Sequence, residues 1–440
     1  MSAQIPAAAT HHDHGRKASH EVAPGEIAVG VVIGRASENF DFFVYGIASA
    51  LVFPRVFFPF ADPLTGALYS FAIFALAFLS RPFGTMLSMQ VQRRWGRGTK
   101  LTVALFMLGI ATAGIAFLPG YDVLGAGAIW LLAAFRLLQG AAVGGSWDGL
   151  PSLLAINAPK QKRGWYAMLG QLGAPVGFIV AAALFAYLIS NLSSEDFYDW
   201  GWRYPFYVAF AINVVALFAR LRLVVTQEYE TELRQRELEP VPLRELLQVK
   251  GKHVVIGAFA PLASYALFHI VTIFPLSWLL LYSDQSIVGL LWVQVVGGFL
   301  AIAGVLASGV IADRFGRMRT LGGLALAIAM FSGFAPTLLG GGELAQDVFL
   351  LLGFFLLGLS YGQASGAVTR NFGNRYRYTG AALTTDLAWL IGAAFAPLVA
   401  LWLCANFGLA FLGAYVLSGA VSTLIALGLH YRIKQGDAGL

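Results

Sequence analysis

The 440-residue chain is 58% hydrophobic and 12% charged, and its mean hydropathy is +0.71. Ordinary globular domains carry about 25% charged residues, so this composition excludes a water-soluble domain and favours a protein that spans a bilayer. The formal net charge is +6, but the basic residues are scattered among short segments, which argues against a nucleic-acid partner. The single cysteine, Cys404, excludes a disulfide within the chain.

The polar N-terminus, residues 1–26, precedes the first apolar stretch. Its cluster of His11, His12 and His14 around Asp13 is open to two interpretations, a metal-binding tail or a solvated tail without a metal, and we favour the second. We expect no cleavable signal peptide, because the first apolar stretch is too long and contains charges. The sequence therefore predicts no metal or other cofactor and a first apolar stretch that is retained as a transmembrane helix.

Crossing a bilayer takes about 20 residues of helix, and twelve apolar runs of that kind follow one another. The runs lie near 27–53, 64–91, 101–118, 125–152, 165–190, 203–223, 252–283, 288–312, 320–339, 346–369, 379–404 and 406–431. They predict an all-α membrane protein with about twelve transmembrane helices. The predicted regions are a cytoplasmic tail 1–26, a six-helix bundle 27–223, a cytoplasmic linker 224–251, a second bundle 252–431 and a cytoplasmic tail 432–440.

Basic residues are concentrated in alternate connecting segments and in the C-terminal tail. They are Arg93, Arg94, Arg97, Lys100, Lys160, Lys162, Arg163, Arg314, Arg317, Arg319, Arg375, Arg377, Arg432 and Lys434. The other short connections are nearly free of positive charge. Since Lys and Arg remain on the cytoplasmic side, we predict a multi-pass protein of a bacterial inner (plasma) membrane with both termini in the cytoplasm.

Two groups of landmark residues occur twice in the same order. Gly84, Gly96, Arg97 and Leu101 match Gly304, Gly316, Arg317 and Leu321 at a shift of 220 positions, and Gly170 and Pro175 match Gly392 and Pro397 at a shift of 222. Duplicated halves with a binding site between them are an architecture of secondary transporters. The sequence contains no G-x-x-x-x-G-K-[ST] nucleotide loop, so we expect an ion or solute gradient to supply the energy. A transporter is predicted, and not an enzyme.

The segment from Gly309 to Arg317, GVIADRFGR, resembles the G-x-x-x-D-R-x-G-R loop motif of the major facilitator superfamily. Three further stretches resemble its metabolite:proton symporter branch: ENFDFFVYG from Glu38, RLLQG from Arg136, and RYTG from Arg377. The resemblance covers residues 27–431. It implies two six-helix repeats in the major facilitator fold, alternating access, and proton-coupled import of solutes such as citrate, oxoglutarate, shikimate or betaines.

The resemblance also implies gating or conformational roles for charged residues near the cytoplasmic helix ends. These residues are Arg81, Arg97, Asp313, Arg314, Arg317 and Arg377. Two positions depart from the pattern. Arg93 stands at the acidic position of the first-half loop, which leaves Asp313 alone to latch the outward-facing state, and Ser146 stands where the branch commonly has Glu. Asp148 lies about 200° round the helix from Ser146, so we do not treat it as a substitute for the missing Glu.

Charged residues within apolar runs are costly and usually face a partner or a watery cavity. Arg35, Glu38, Asp41 and Tyr45 recur at helical spacing on one face of the first run. Either Glu38 or Asp41 carries the coupled proton by cycling between charged and neutral forms, or Arg35 and Glu38 form a fixed ion pair that only holds helices together.

The second half offers two further candidates for proton coupling, Asp386 and His269. Asp386 is expected to be an unpaired acid, and His269 stands four residues from Tyr265 on the same helix face. A histidine near neutrality relays protons well. Its alternative role is that of a satisfied polar side chain that lines the cavity.

Arg136 is the leading candidate for substrate binding, because its planar fork suits a carboxylate. That carboxylate belongs either to the substrate or to the first helix, and both possibilities stay open. Gln139 lies on the same face as Arg136. Further predicted substrate-binding side chains with polar groups are Tyr45, Gln171, Gln294, Tyr361 and Gln363.

The leading functional hypothesis is uptake of a small organic acid with protons, by a monomer that alternates access. One alternative is proton-coupled efflux of a hydrophobic or cationic compound, because the stretch from Gly170 to Gly177 loosely resembles exporters. Another is uptake of a zwitterion such as a betaine, which Glu38, Asp41 and Asp386 would also accommodate. The charge-dense first run predicts that proton handling and anion binding concentrate in the N-terminal half.

Overall fold

The computed structural model of the protein describes residues 24–147, 154, 158–224, 239–369 and 372–438. Within these ranges the chain is helical with short connections and has no strand. The histidine cluster of the N-terminal tail, Asp148 and residues 225–238 of the predicted linker lie outside them.

Twelve spans, numbered α1 to α12, follow one another within the described ranges. They are α1 Pro24–Leu51, α2 63–95, α3 97–116, α4 Ala126–Gly145, α5 Arg163–Asn191, α6 Tyr204–Val224, α7 243–282, α8 Ile287–Phe315, α9 Arg317–Leu339, α10 Glu343–Thr369, α11 Asn374–Phe407 and α12 Ala410–Ala438. The prediction of an all-α protein with about twelve membrane helices is confirmed. The largest difference is at α7, which begins at residue 243 rather than 252 because the end of the linker is already helical.

Nine helical stretches in the described part of the chain are long and apolar enough to cross a membrane. One of them, Pro63–Ala116, has 54 residues and bends at Gly96, so it contains both α2 and α3. The spans α1 and α6 complete the set. The hydropathy of α1 is reduced by Arg35, Glu38 and Asp41, which belong to the candidate functional site.

The internal repeat is visible as matching interruptions of the backbone. Gly96 has φ +85° and Gly316 has φ +84°, a conformation that favours glycine, and each glycine separates two consecutive spans. The span α5 is interrupted between Leu169 and Gly173, and α11 between Gly392 and Ala396. Pro175 and Pro397 lie in the first turn after each break, where a missing N–H is tolerated. The two repeated landmarks therefore mark equivalent turns in two six-helix repeats.

Glycines allow α2 and α4 to approach closely. A Cβ built on Gly140 would lie 2.0 Å from the carbonyl oxygen of Ala77, and one built on Gly144 would lie 2.2 Å from that of Arg81. The second half repeats this seam between α8 and α10, where a Cβ on Gly358 would lie 2.2 Å from the carbonyl oxygen of Ala301. Small residues at membrane helix interfaces permit such contacts, and they hold the polar side chains of α4 against α1 and α2.

Replacing Gly140 by alanine is expected to destabilise the protein, because the added methyl overlaps backbone atoms of α2. Overpacking of this kind costs about 1–3 kcal/mol, which thermal unfolding of the purified protein in detergent measures as a lower midpoint. Gly127→Ala on the same helix is the matched control, since a Cβ there meets nothing within 4 Å. Equal midpoints for the two variants would contradict the close seam.

Candidate functional site

A cavity of about 100 Å³ lies between the two halves, bounded by α1, α2, α4 and α5 of the first half and α7, α10 and α11 of the second. Its polar lining includes Arg35, Glu38, Asn39, Arg81 and Gln171. Its aromatic lining consists of Phe42, Phe78, Trp147, Tyr166, Tyr265, Tyr361 and Trp389. Of the residues predicted to act on substrate or proton, the structure brings Glu38, Gln171 and Tyr361 to this cavity, together with Arg81.

Arg35 and Glu38 form an ion pair one helical turn apart on α1. The guanidinium Nη1 lies 3.0 Å from Oε2 of Glu38, and the hydroxyl of Ser146, the residue after α4, donates to Oε1 at 2.7 Å. Ser146 Oγ also lies 2.8 Å from the carbonyl oxygen of Val143. A hydroxyl has one proton but two lone pairs, so Ser146 can donate to a charged Glu38, or accept from a protonated one while it donates to Val143. The surroundings of Glu38 thus suit both protonation states.

A second ion pair joins the two halves. Nε of Arg81 on α2 lies 2.6 Å from Oδ1 of Asp386 on α11, and the hydroxyl of Thr85 donates to Oδ2 at 2.5 Å. The expectation that Asp386 is unpaired is therefore wrong, because α2 packs against α11 and supplies both partners. The halves cannot separate at this level without breaking the pair.

Asp41, Gln139 and Arg136 form a separate cluster inside the first half, together with Thr112 of α3. The hydroxyl of Thr112 lies 2.9 and 3.1 Å from the two carboxylate oxygens of Asp41. Gln139 donates to Thr112 at 3.0 Å and accepts from Arg136 at 3.1 Å. Arg136 is 2% exposed and is not part of the cavity lining, so contact with a solute in the cavity requires a change of conformation.

Tyr45 packs beneath Arg136 in this inner cluster. The guanidinium carbon lies 3.8 Å from the centre of the Tyr45 ring, and the guanidinium also donates to the carbonyl oxygen of Phe74 at 3.2 Å. Nη2 of Arg136 and the hydroxyl of Tyr45 have no hydrogen-bond partner among the described residues. Both groups are donors, so the cluster has spare capacity for an acceptor.

His269 on α7 is fully buried in an aromatic cage of Phe42, Phe74, Phe78 and Trp389. The hydroxyl of Thr272 donates to the carbonyl oxygen of Phe268 at 2.8 Å. Its oxygen also lies 3.4 Å from Nδ1 of His269, and a hydrogen bond there needs the proton on Nδ1 as long as Thr272 donates to Phe268. Within the described part of the chain, Nε2 has no hydrogen-bond partner.

Gln294 and Gln363 lie outside the cavity and bind backbone. The amide of Gln294 donates to the carbonyl oxygens of Val271 and Thr272, at 3.0 Å each. Pro275 has no N–H to offer the carbonyl four residues earlier, so Gln294 satisfies acceptors that the break in α7 leaves free. Gln363 donates at 3.2 Å to the carbonyl oxygen of Gly164 and thereby connects the two halves.

The helix ends that carry Gly96 and Gly316, termed the basic end, hold further contacts between halves. Asp313 accepts from the N–H groups of Gly164 at 2.5 Å and Trp165 at 3.1 Å. Arg317 donates to Gln363 at 3.2 Å and to the carbonyl oxygen of Arg163 at 3.1 Å. The one acid of the two loop motifs thus caps the start of α5 in the other half.

The repeat-related contact at the basic end is built differently. The hydroxyl of Tyr378 lies 2.9 Å from the side chains of both Gln92 and Lys100, and Arg97 packs over its ring at 5.8 Å. Arg93, which replaces the motif acid, is exposed. The remaining predicted gating residues contact their own half: Arg314 packs over Phe315 at 5.5 Å, and Arg377 donates to the carbonyl oxygen of Phe372 at 3.4 Å.

Sequence reasoning missed several residues that complete the site. Thr85 lies four residues after Arg81, on the same helix face, and that spacing is a signal for a shared partner. Thr112 and Trp389 had no such signal, because threonine and tryptophan are common within apolar spans. Their roles appear only once α3 and α11 are packed against α1 and α2.

Removing one partner of the pair formed by Arg81 and Asp386 is expected to destabilise the protein strongly. A buried charge left without its partner costs about 3–5 kcal/mol, so Arg81→Gln and Asp386→Asn each lower the thermal midpoint, and the double variant recovers part of the loss. Arg375 and Glu245, 2.8 Å apart but 65% and 31% exposed, provide a control cycle in which losses of only about 0–1 kcal/mol are expected. Additive losses for Arg81 and Asp386 would count against a coupled pair.

Comparison with known proteins agrees with this architecture. Residues 40–397 match the Major Facilitator Superfamily. The chain is 36% identical over 442 residues to the inner membrane metabolite transport protein YhjE of Escherichia coli (strain K12), across 98% of this chain and 99% of that protein. It is 33% identical over 396 residues to the shikimate transporter of the same organism, across 85% and 86%.

The fold is similar to that of the proton:xylose symporter XylE bound to 6-bromo-6-deoxy-D-glucose, with a TM-score of 0.69 over 93% of this chain and 95% of that chain. At 17% identity this likeness concerns the fold alone. The sequence resemblance stated above is confirmed by the matched residues and by the metabolite transporters among the relatives. The chain is a multi-pass membrane protein that belongs to the Major Facilitator Superfamily.

Proposed function

We propose that this protein is a proton-coupled symporter that takes up a small organic carboxylate by alternating access. The observation that carries the proposal is the ion pair of Arg35 and Glu38 in the lining of the cavity between the halves. Glu38 is the one carboxylate among the described residues that line this cavity. A proton acceptor and an anion-binding group are therefore neighbours in the place where a solute would sit.

Charge balance couples the two ligands. A proton that binds Glu38 neutralises the carboxylate that pairs with Arg35, and the carboxylate of a solute can then take its place beside the guanidinium. An unpaired charge within a bilayer costs at least about 2.5–3.5 kcal/mol on insertion scales, so binding of the proton alone or of the carboxylate alone is unfavourable. One proton and one carboxylate bound together leave the net charge of the cavity unchanged.

Asp41, Asp386 and His269 are secondary candidates for handling the proton. Asp386 holds the two halves together through Arg81, so its protonation would release that contact. Asp41 and Arg136 lie within the first half, and their spare donors suit a partner that arrives when the bundle changes shape. His269 is buried in the aromatic cage of Phe42, Phe74, Phe78 and Trp389.

Alternating access fits the contacts on both sides of the cavity. At the basic end the hydrogen bonds of Asp313 to the start of α5 and of Tyr378 to Gln92 would have to break before the halves part. Toward the other end Phe43 stacks on Phe268 at 5.7 Å, and a Cβ on Gly46 would lie 2.7 Å from Ile273. The rocking of one repeat against the other then opens one end while it closes the other.

The orientation, the domain limits and a monomeric state stay predictions. Basic loops favour the cytoplasm, so we assign the basic end and both termini to the cytoplasmic side of a bacterial inner membrane. The names of the relatives support transport of metabolites: one is an inner membrane metabolite transport protein, one a shikimate transporter, and the structural neighbour a proton:xylose symporter.

Uptake of a zwitterion is the second candidate, because the lining offers both signs of charge and a relative 28% identical is a proline/betaine transporter of Escherichia coli. The guanidinium groups weaken this candidate. Arg35 and Arg81 already occupy positions over the rings of Trp147 and Trp389, where an ammonium group would bind. The same two cations make efflux of a cationic compound less favourable.

Glu38→Gln is expected to abolish proton-driven accumulation, because the amide keeps the shape of a protonated carboxyl but cannot titrate. In liposomes that contain the purified protein, with an acidic outside, accumulation of the best-transported member of a labelled set of shikimate, benzoate, lactate and succinate should fall at least tenfold. Exchange of the same solute across equal pH should persist, since the amide mimics the protonated carboxyl of the solute-bound state.

Glu343→Gln, at an exposed acid that begins α10, is the matched control and should accumulate solute as the wild type does. Undiminished accumulation by Glu38→Gln would remove Glu38 from the coupling mechanism. Failure of the wild type to accumulate any of the four acids would count against carboxylate uptake itself.

A further inference from the structure

We propose that the two residues after α4, Ser146 and Trp147, couple the protonation of Glu38 to the opening of the basic end. These two residues are termed the α4 terminus. The coupling rests on the proton-coupled uptake proposed above and identifies the residues through which the proton site reaches the contact between the halves. The α4 terminus contacts both the ion pair in the cavity and Tyr378 at the basic end.

On the cavity side, the α4 terminus touches both members of the ion pair. The hydroxyl of Ser146 donates to Oε1 of Glu38 at 2.7 Å. The indole of Trp147 lines the cavity, and the guanidinium carbon of Arg35 lies 5.6 Å from its centre. A change of charge on Glu38 therefore acts directly on Ser146 and, through Arg35, on Trp147.

On the other side, the carbonyl oxygen of Trp147 is part of the basic end. The ammonium of Lys100 on α3 donates to it, and the hydroxyl of Tyr378 on α11 lies 3.0 Å away. The ammonium also donates to the Tyr378 hydroxyl at 2.9 Å, so the one proton of that hydroxyl is left for Gln92 or for the carbonyl. Lys100 and Tyr378 are 1% and 0% exposed, so little water is present to replace these partners.

The ring of Trp147 also joins the α4 terminus to the second half. It packs against an apolar cluster of that half, which consists of Leu246, Val254, Phe372, Ala381 and Leu383. The α4 terminus belongs to the first half, so its carbonyl and its ring both make contacts between the halves. A shift of the α4 terminus relative to α11 would disturb both contacts.

Ser146 responds to the protonation state of Glu38. Its hydroxyl has one proton and lies 2.7 Å from the carboxylate and 2.8 Å from the carbonyl oxygen of Val143. While Glu38 is charged, the hydroxyl donates to it and ties the α4 terminus to α1. Once Glu38 binds a proton, the hydroxyl donates to Val143 within its own half. Because a hydrogen bond to a charged acceptor is stronger than one to a neutral group, protonation loosens the α4 terminus from α1.

Loosening of the α4 terminus weakens the contact that closes the basic end. The carbonyl oxygen of Trp147 meets Lys100 and Tyr378 only while the terminus keeps its position. The hydrogen bond from Ser146 to the charged Glu38 stabilises that position. The basic end is therefore more firmly closed when Glu38 is charged and opens more readily when Glu38 carries a proton. Uptake requires this order, because the carrier with proton and solute bound must open toward the side on which it releases them.

Other titratable groups surround the cavity. Those that line it with Glu38 are Arg35, Arg81, Tyr166, Tyr265 and Tyr361, and Asp386 pairs with Arg81. Of all these groups and Glu38 itself, Ser146 forms a hydrogen bond with Glu38 alone among the described residues. The hydroxyl therefore responds to this carboxylate.

Distances across the basic end test the coupling in the full-length protein. Spin labels on cysteines that replace Arg93 and Arg319, exposed residues of the first and second half, would give the ratio of open to closed molecules, with Cys404 replaced by alanine. Glu38→Gln stands for the protonated carboxyl. It should raise the ratio at least about threefold, on the scale of one hydrogen bond.

Two further substitutions separate the contacts of the α4 terminus. Ser146→Ala removes the hydroxyl that contacts Glu38, so Glu38→Gln added to it should change the ratio less than about twofold. Tyr378→Phe keeps the ring but removes the hydroxyl, so it should raise the ratio about threefold by itself and leave a similarly small response to Glu38→Gln. This second arm decides if Ser146→Ala does not fold.

Tyr376→Phe is the matched control. Tyr376 lies on the same helix as Tyr378, but its hydroxyl donates to Glu245 at 2.9 Å within the second half. The control should keep the wild-type ratio and the full response to Glu38→Gln.

The outcomes separate the coupling from the proposed uptake. A full response to Glu38→Gln in the Ser146→Ala or the Tyr378→Phe protein would overturn the coupling, and so would equal ratios for the wild type and Glu38→Gln. In both cases the loss of proton-driven accumulation by Glu38→Gln in liposomes would leave the uptake mechanism standing. A coupled opening together with undiminished accumulation would instead support the coupling and remove Glu38 from transport.

Discussion

A charge within the bilayer must have a partner, and this constraint organises the interior of the protein. Arg35 faces Glu38 within one helix, and Arg81 faces Asp386 across the two halves. Arg136 is surrounded by Gln139 and aromatic rings. Because an isolated charge is so costly, any step that neutralises one member of a pair changes what the other member binds. Ion pairs that stabilise the resting structure can in this way also exchange a carboxylate of the protein for that of a solute.

The backbone makes these pairings possible. Gly140 and Gly144 allow α2 and α4 to pack closely, and Ser146, the residue after α4, donates to the carboxylate of Glu38. The interruptions in α5, α7 and α11 place polar backbone and side chains within the membrane interior, where regular helices alone would leave few groups free for a ligand. Gln294 compensates the break in α7, because it binds the carbonyl of Val271, which Pro275 leaves without a donor, and that of Thr272. Interrupted backbone and stabilising polar contacts are therefore combined in the same spans.

Much of the architecture could be predicted from the sequence. Length and hydropathy are enough to find spans. Two groups of landmarks at nearly the same shift, Gly96 with Gly316 and Pro175 with Pro397 among them, are enough to find the repeat, and a turn that needs positive φ favours glycine in both copies. The ion pair of Arg35 and Glu38 was one of two interpretations that the helical spacing left open, and the structure contains this pair because residues three apart are neighbours on a helix. Local spacing carries this information wherever both partners lie on one helix.

Contacts between helices could not be predicted in the same way. Asp386 pairs with Arg81, which lies 305 positions earlier in the chain. The sequence around each residue contains no sign that the other is its partner. Gln294 and Gln363 resemble Gln171 in the sequence, yet the first two bind backbone and the last lines the cavity. Which polar residue faces the solute depends on the rotation and depth of each span, which hydropathy does not determine.

The response of uptake to voltage shows whether one proton and one carboxylate enter together and leave the charge of the cavity unchanged. Liposomes that contain the protein would be given either a pH gradient or a potassium diffusion potential, with pH held equal, and accumulation of the preferred monocarboxylate would be measured. We predict that the pH gradient drives accumulation and that the potential alone does not, because no net charge crosses the membrane. Accumulation driven by the potential at equal pH would contradict it.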